Sequence, residues 1–236
     1  VPVTGGKWSR SITYRTTVSA TLYSRRLVHG AGVPPEVPFL SERERRLFLR
    51  RTPQFDHTNA AFGAWAASRD LKRGESEGEV AFARRTLQCI VRNFSYEYLG
   101  EQDRSAPHVC AAGKSDCGGM AVLFATVLRA QGIPARTLAG RWAISEKPDD
   151  KIGAVEYHQE HVKAEFFAQG VGWVPVDLSS AVLHDKSAAK LAHFGNDRGD
   201  FLTFHFDNDL TLDTLHFGAR TMALMQKASY WVKGSG

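Results

Sequence analysis

"KSDCGGMAVLFATVLRAQGIPAR", residues 114–136, decides the fold, because here a helix that is apolar on most sides opens on a cysteine. Met120, Leu123, Phe124, Val127 and Leu128 follow the 3.6-residue spacing, and Val122 and Ala125 make the other sides apolar too. Such a helix is expected to lie buried. Ser115 or Asp116 is the expected N-cap, Gly132 the C-terminal stop, and Pro134 prevents continuation. A helix N-terminus presents unpaired N–H groups and about half a positive charge, which favours a thiolate. Cys117 is therefore expected to be the most nucleophilic thiol in the chain. Gly118 and Gly119 are poor helix formers, and their use predicts close approach of a substrate backbone, with the N–H groups of this turn, Gly118 included, available to a developing oxyanion. The competing reading is that Cys117 is one more small buried hydrophobe.

A second stretch, "HVKAEFFAQGVGWVPVD" at 161–177, shifts the balance. Alternation puts His161, Lys163, Glu165 and Phe167 on one face of a strand, and Trp173, Pro175 and Asp177 on one face of the next. "AQG" is a plausible three-residue hairpin loop with Gly170 in the left-handed region. Centring that loop on Gln169 sets His161 directly opposite Asp177, where a carboxylate would fix the imidazole's tautomer. Cys117, His161 and Asp177 together make the pattern of a nucleophile, a proton carrier and an orienting acid.

"DCGGMAVLFATVLRAQGIPAR", followed by "HVKAEFF", "GWVPVDLS" and "FGNDRGDFLTFHFD", resembles the transglutaminase-like superfamily of papain-like cysteine enzymes over residues 82–210. That resemblance implies an α+β fold: a Cys-bearing buried helix packed on an antiparallel sheet that carries His and Asp. It also implies that Cys117 is the nucleophile, His161 the base and acid, and Asp177 the orienter of acyl transfer or hydrolysis at a protein or peptide amide through a thioester. A primary amine is a possible acceptor, and neither cofactor nor metal is implied. The chain departs from the commoner bacterial pattern at Ser115, where Gly usually precedes the Asp–Cys pair, and at Lys163, where an aromatic often stands. Tyr96, in "NFSYEY", is a candidate for supporting the oxyanion or the cleft, with a Tyr packed under the helix as the alternative.

The rest of the chain bounds these readings. At 236 residues, with 43% hydrophobic and 23% charged residues, a single soluble domain with a sizeable core is expected, and no apolar run reaches the ~20 residues of a membrane span. The net charge of +5 is concentrated in "SRR" and "SERERRLFLRR", where acids alternate with arginines, and no aromatic-plus-basic platform accompanies it, so nucleic-acid binding is not expected. Cys89, Cys110 and Cys117 are too few for a disulfide scaffold; Cys89 reads as packing and Cys110 as a loop thiol open to oxidation. The given sequence starts at Val1 without a signal-like segment, as a processed or trimmed chain would, and leaves compartment and oligomeric state open. Residues 1–80 are expected to supply a strand at 11–24, a Pro-rich connector, a helix capped by Ser41 and Glu44 and another over 58–71, all packed on a catalytic core at 81–236. A further helix is expected over 77–93. His108 reads as a surface-loop residue, and Trp142 and Trp173 as core. Two other functions remain beside the enzyme: a binding module on the same scaffold, and a metal-dependent hydrolase using His158 and His161 with His108 or Cys110. The latter fits poorly, because histidines three apart on a strand face opposite sides.

Overall fold

The apolar helix is where the sequence places it. In the computed structural model, which describes residues 18–28, 36–37, 39–143, 160–187, 190–208, 210–222, 224 and 226, it runs Cys117–Ala130. The elements in chain order are β1 (Arg25–Arg26), α1 (Glu42–Leu49), α2 (Ala60–Ser68), α3 (Glu79–Asn93), β2 (Ser95–Tyr96), α4 (Ala106–Ala112), β3 (Lys114–Ser115), α5 (Cys117–Ala130), β4 (Ala135–Trp142), β5 (Glu160–Ala168), β6 (Gly172–Val176), α6 (Leu178–His184), β7 (Asn196–Asp197), β8 (Phe201–Phe206), β9 (Leu210–Thr214) and β10 (Gly218–Met222).

Asp116 caps α5, its carboxylate accepting the Gly119 N–H at 3.0 Å. The other end closes in a Schellman turn. Gly132, at φ +73°, donates to the Arg129 carbonyl, and the Ile133 N–H reaches back to Leu128, each at 3.0 Å. From Cys117 to Arg129 every residue of α5 is buried. One side lies on an antiparallel sheet ordered β6-β5-β4-β8, against Ala139 of β4 and Val162, Ala164 and Phe166 of β5. The other sides are covered by α3, α4 and α6.

The opposite face of the sheet is unusual in carrying charge under cover. Glu165 accepts from Arg25 of β1 at 2.8 Å and from Arg136 of β4 at 2.7 Å. The Arg136 guanidinium also lies 3.8 Å from the ring centre of Trp173, 3.9 Å from Phe206 and 4.7 Å from Phe48 of α1. The N-terminal segment joins this face through β1, which pairs with β7.

Several expectations need correction. Of the strand foreseen at 11–24, residues 11–17 lie outside the described residues and 18–24 form no strand; the backbone at Tyr23 and Ser24 presses instead on Gly199, and pairing starts at Arg25. The connector at 30–39 is described only at 36, 37 and 39. The β5–β6 loop is centred on Gly170 and not on Gln169. Val171 N–H closes a turn onto Ala168 at 3.0 Å with Gly170 at φ +76°, which leaves Phe167 opposite Trp173 and Glu165 opposite Pro175. His161 accordingly faces Gly140 of β4, and Asp177 lies beyond β6 as the N-cap of α6.

Candidate active site

Cys117 is the first residue of α5, so its position follows from the cap that starts the helix. Asp116 is itself held by Arg104, whose Nε and Nη2 grip both carboxylate oxygens at 2.6–3.1 Å. The two glycines that follow are explained by neighbours and not by open space. A Cβ on Gly119 would stand 2.0 Å from the Ser115 hydroxyl, and one on Gly118 would touch the Arg104 side chain at 3.0 Å. The expected room for a substrate backbone is thus occupied at both positions by this protein's own side chains.

The structure brings Cys117, His161 and Asp177 together despite the changed register. A diagonal neighbour across a hairpin is within reach of a long side chain, and His161 Nε2 meets Asp177 Oδ2 at 2.8 Å. The Cys117 thiol is the ring's other interacting neighbour and favours its protonated form. Asp177 is fixed independently: its Oδ1 accepts the Ser180 N–H at 3.0 Å, and its own N–H donates to the His193 carbonyl at 3.0 Å. Both members of the pair are buried. Burial alone would push the imidazole towards its neutral form, but the Asp177 carboxylate and the Cys117 contact outweigh it and hold His161 up at about 10. Burial would likewise raise Asp177; the imidazolium and the Lys163 ammonium win and hold the carboxyl below its ordinary range.

Trp142, read from the sequence as core, turns out to belong to this site. Its indole stacks on His161 with centroids 4.8 Å apart and planes 21° apart, and Phe201 meets the imidazole edge-on at 6.0 Å. Nothing in the sequence pattern marked it; the signal lay in its place at the end of β4, one side-chain step beyond the Gly140 that faces His161.

Tyr96 is half-buried in β2, paired with Ser115, and packs on the core beside the start of α5. Gly118 is buried in the first turn. His108 is exposed, yet on α4 and not on a loop. Cys110 also lies on α4, buried, with its thiol donating to the Pro107 carbonyl at 3.2 Å, so it is not the open loop thiol foreseen. Burial raises the Cys110 and Cys89 thiols alike. His158 lies outside the described residues, and His161 has Asp177 on Nε2 and Cys117 as its other partner, which leaves the metal reading without its central ligand.

The site is thus a helix-borne cysteine beside a buried His–Asp pair at one end of an antiparallel sheet. Residues 66–178 match the transglutaminase-like superfamily. An uncharacterised protein of Haemophilus influenzae is 28% identical over 140 residues, 48% of this chain and 38% of that protein. Among solved structures, a candidate cysteine protease from Cytophaga hutchinsonii is similar at 16% identity and TM-score 0.46, over 82% of this chain and 61% of the other. The periplasmic domain of TgpA from Pseudomonas aeruginosa is similar at 22% identity and TM-score 0.44, over 60% of this chain and 48% of the other. The chain thus spans less than two thirds of the length of each of these proteins.

Proposed function

We propose that this chain is a cysteine-dependent enzyme acting at an amide bond of a protein or peptide, with Cys117, His161 and Asp177 as its triad. The observation that carries the reading is the buried line from the first residue of α5 through the imidazole to the Asp177 carboxylate, 2.8 Å from Nε2. The Cys117 thiolate attacks the amide carbonyl carbon; His161 gives its proton to the nitrogen, the C–N bond breaks, and a thioester remains on Cys117. Water or a primary amine then loses a proton to His161 as its oxygen or nitrogen bonds to the thioester carbon, and the sulfur departs. Asp177 keeps the ring oriented and balances the imidazolium. The first N–H groups of α5, those of Cys117 and Gly118, have no intrahelical acceptor and are the donors available to the oxyanion. Tyr96 serves as a wall beside them.

Peptide mapping after sub-stoichiometric iodoacetamide at neutral pH should find Cys117 labelled before Cys89 and Cys110. Intact-mass detection of an acyl adduct from Gln-containing peptides, with and without a primary amine, then separates transfer from hydrolysis. Preferential labelling of Cys89, or adducts that persist in Cys117→Ala, would sink the assignment.

A further inference from the structure

Lys163 is the least expected side chain near the site. It is 5% exposed, and an ammonium taken out of water is costly unless something replaces its hydration. What surrounds it is mostly aromatic. Nζ sits 4.1 Å from the ring centre of Trp142 and 4.9 Å from that of Phe201. Its nearest carboxylates stand off at 3.7 Å (Asp197 of β7) and 4.0 Å (Asp200), too far for hydrogen bonds, and Asp177 feels the ammonium only through its charge. The two rings that cage the ammonium are the two that touch the His161 imidazole, one face-on and one edge-on.

We propose that Lys163 is a positioning residue for His161: its ammonium fixes the Trp142 indole, and the indole fixes the imidazole plane between Cys117 and Asp177. The inference rests on the triad reading. Geometry favours it over a purely structural ion pair, because a lysine held only for Asp197 would gain more from a short contact than from 3.7 Å. Leu138, opposite Lys163 on β4, shows that an apolar residue suits this face. An apolar side chain at 163 would fill the same space without the cost of a buried charge.

p-Nitrophenyl acetate separates the two halves of the reaction. The Cys117 thiolate bonds to the acetyl carbon as p-nitrophenolate leaves, a step that needs no proton donor. Water then attacks the acetyl thioester while His161 takes its proton and the thiolate departs as acetate forms. The native chain should show a stoichiometric burst followed by slow turnover. Lys163→Met should keep the burst amplitude and the thermal midpoint, while steady turnover falls about tenfold or more, the size expected for a misplaced general base. Lys163→Arg, which retains a cation for the indole, should recover most of the loss. Trp142→Phe should cost a similar factor, and the double variant no further one, since both act through one ring. Steady turnover of Lys163→Met within twofold of the native rate overturns the proposal. So does a Lys163→Arg as impaired and as unstable as Lys163→Met, which would mark a packing role. A native chain with no burst, turning over no faster than Cys117→Ala, removes the triad itself and the inference with it.

Discussion

Exchanging Asp177 for Asn keeps the side chain's shape and removes the charge that faces His161, so it tests one property of one residue. Turnover should fall by about 10² to 10⁴ while the fold persists. The same exchange has a pH signature. His161 is held above its ordinary 6.5, so its share of stability is fully present below pH 6.5 and is lost as pH rises through about 10. Asp177 is held below its ordinary 3.8, so its share is present above pH 3.8 and fades as pH falls through the lowered value. Thermal melts of the native chain and Asp177→Asn should differ most between these limits and converge as pH approaches 10; a constant gap would show that the pair does not titrate as described. Gly119 carries the second residue-scale prediction. Its missing Cβ makes room for the Ser115 hydroxyl 2.0 Å away, so Gly119→Ala should cost about 1–3 kcal/mol in denaturant titration. Adding Ser115→Gly should return much of that loss, limited by Val109 at 3.0 Å. The places of Cys117 and His161 were legible because a capped apolar helix and an alternating strand each fix where a side chain points, whereas Asp177 was assigned by a register that the structure shifts by one residue. Trp142 and Arg104 were not legible, since each acts across elements distant in sequence.

At the scale of elements, the sequence marked α5 by its 3.6-residue spacing and β5 and β6 by alternation, and marked α1 by a capping box that the structure contains in both directions, Ser41 N–H to Glu44 and Glu44 N–H to Ser41. It missed α4 and α6, seven residues each, because two turns hold too few apolar positions to show a period. Asp177 illustrates the loss. Read as a strand end, it is in fact the cap that begins α6, and that double use is what lets a register one step from the expected one still deliver it to His161. Gly140 sets the matching constraint on the other side. It faces His161 at the irregularity where β4 shifts against β8, and a Cβ there would stand 1.9 Å from the Leu202 carbonyl oxygen. Backbone cannot yield as a side chain can. Gly140→Ala should therefore push β8 outward, carry Phe201 off the imidazole and abolish turnover; a native-like melt with full turnover would show that β8 has no part in holding the site.

For the whole molecule, the question is whether residues 1–72 stand apart. Phe55, Phe62 and Leu71 share one apolar cluster with α5, and the Arg129 guanidinium, fully buried and bound to Asp207 at 2.8 Å, lies under the Phe55 ring at 3.9 Å. Removing residues 1–72 would open that cluster and leave a desolvated ion pair facing water. We expect insoluble or molten protein, read by the absence of a cooperative melt. A fragment of 73–236 that unfolds cooperatively and still reacts at Cys117 would show the first 72 residues to be a separate module.

Arg136 gives the sheet's outer face a property that its charge alone would not suggest. Ions at ~1 M shorten the reach of a Coulomb attraction to about 3 Å in water, and they loosen exposed partners such as Arg46 and Glu42 at 3.7 Å. They do not penetrate between a guanidinium and the rings of Phe48, Trp173 and Phe206. The first helix is therefore clasped through Phe48 by faces of carbon and delocalised nitrogen, and its seat should depend little on the salt content of the buffer.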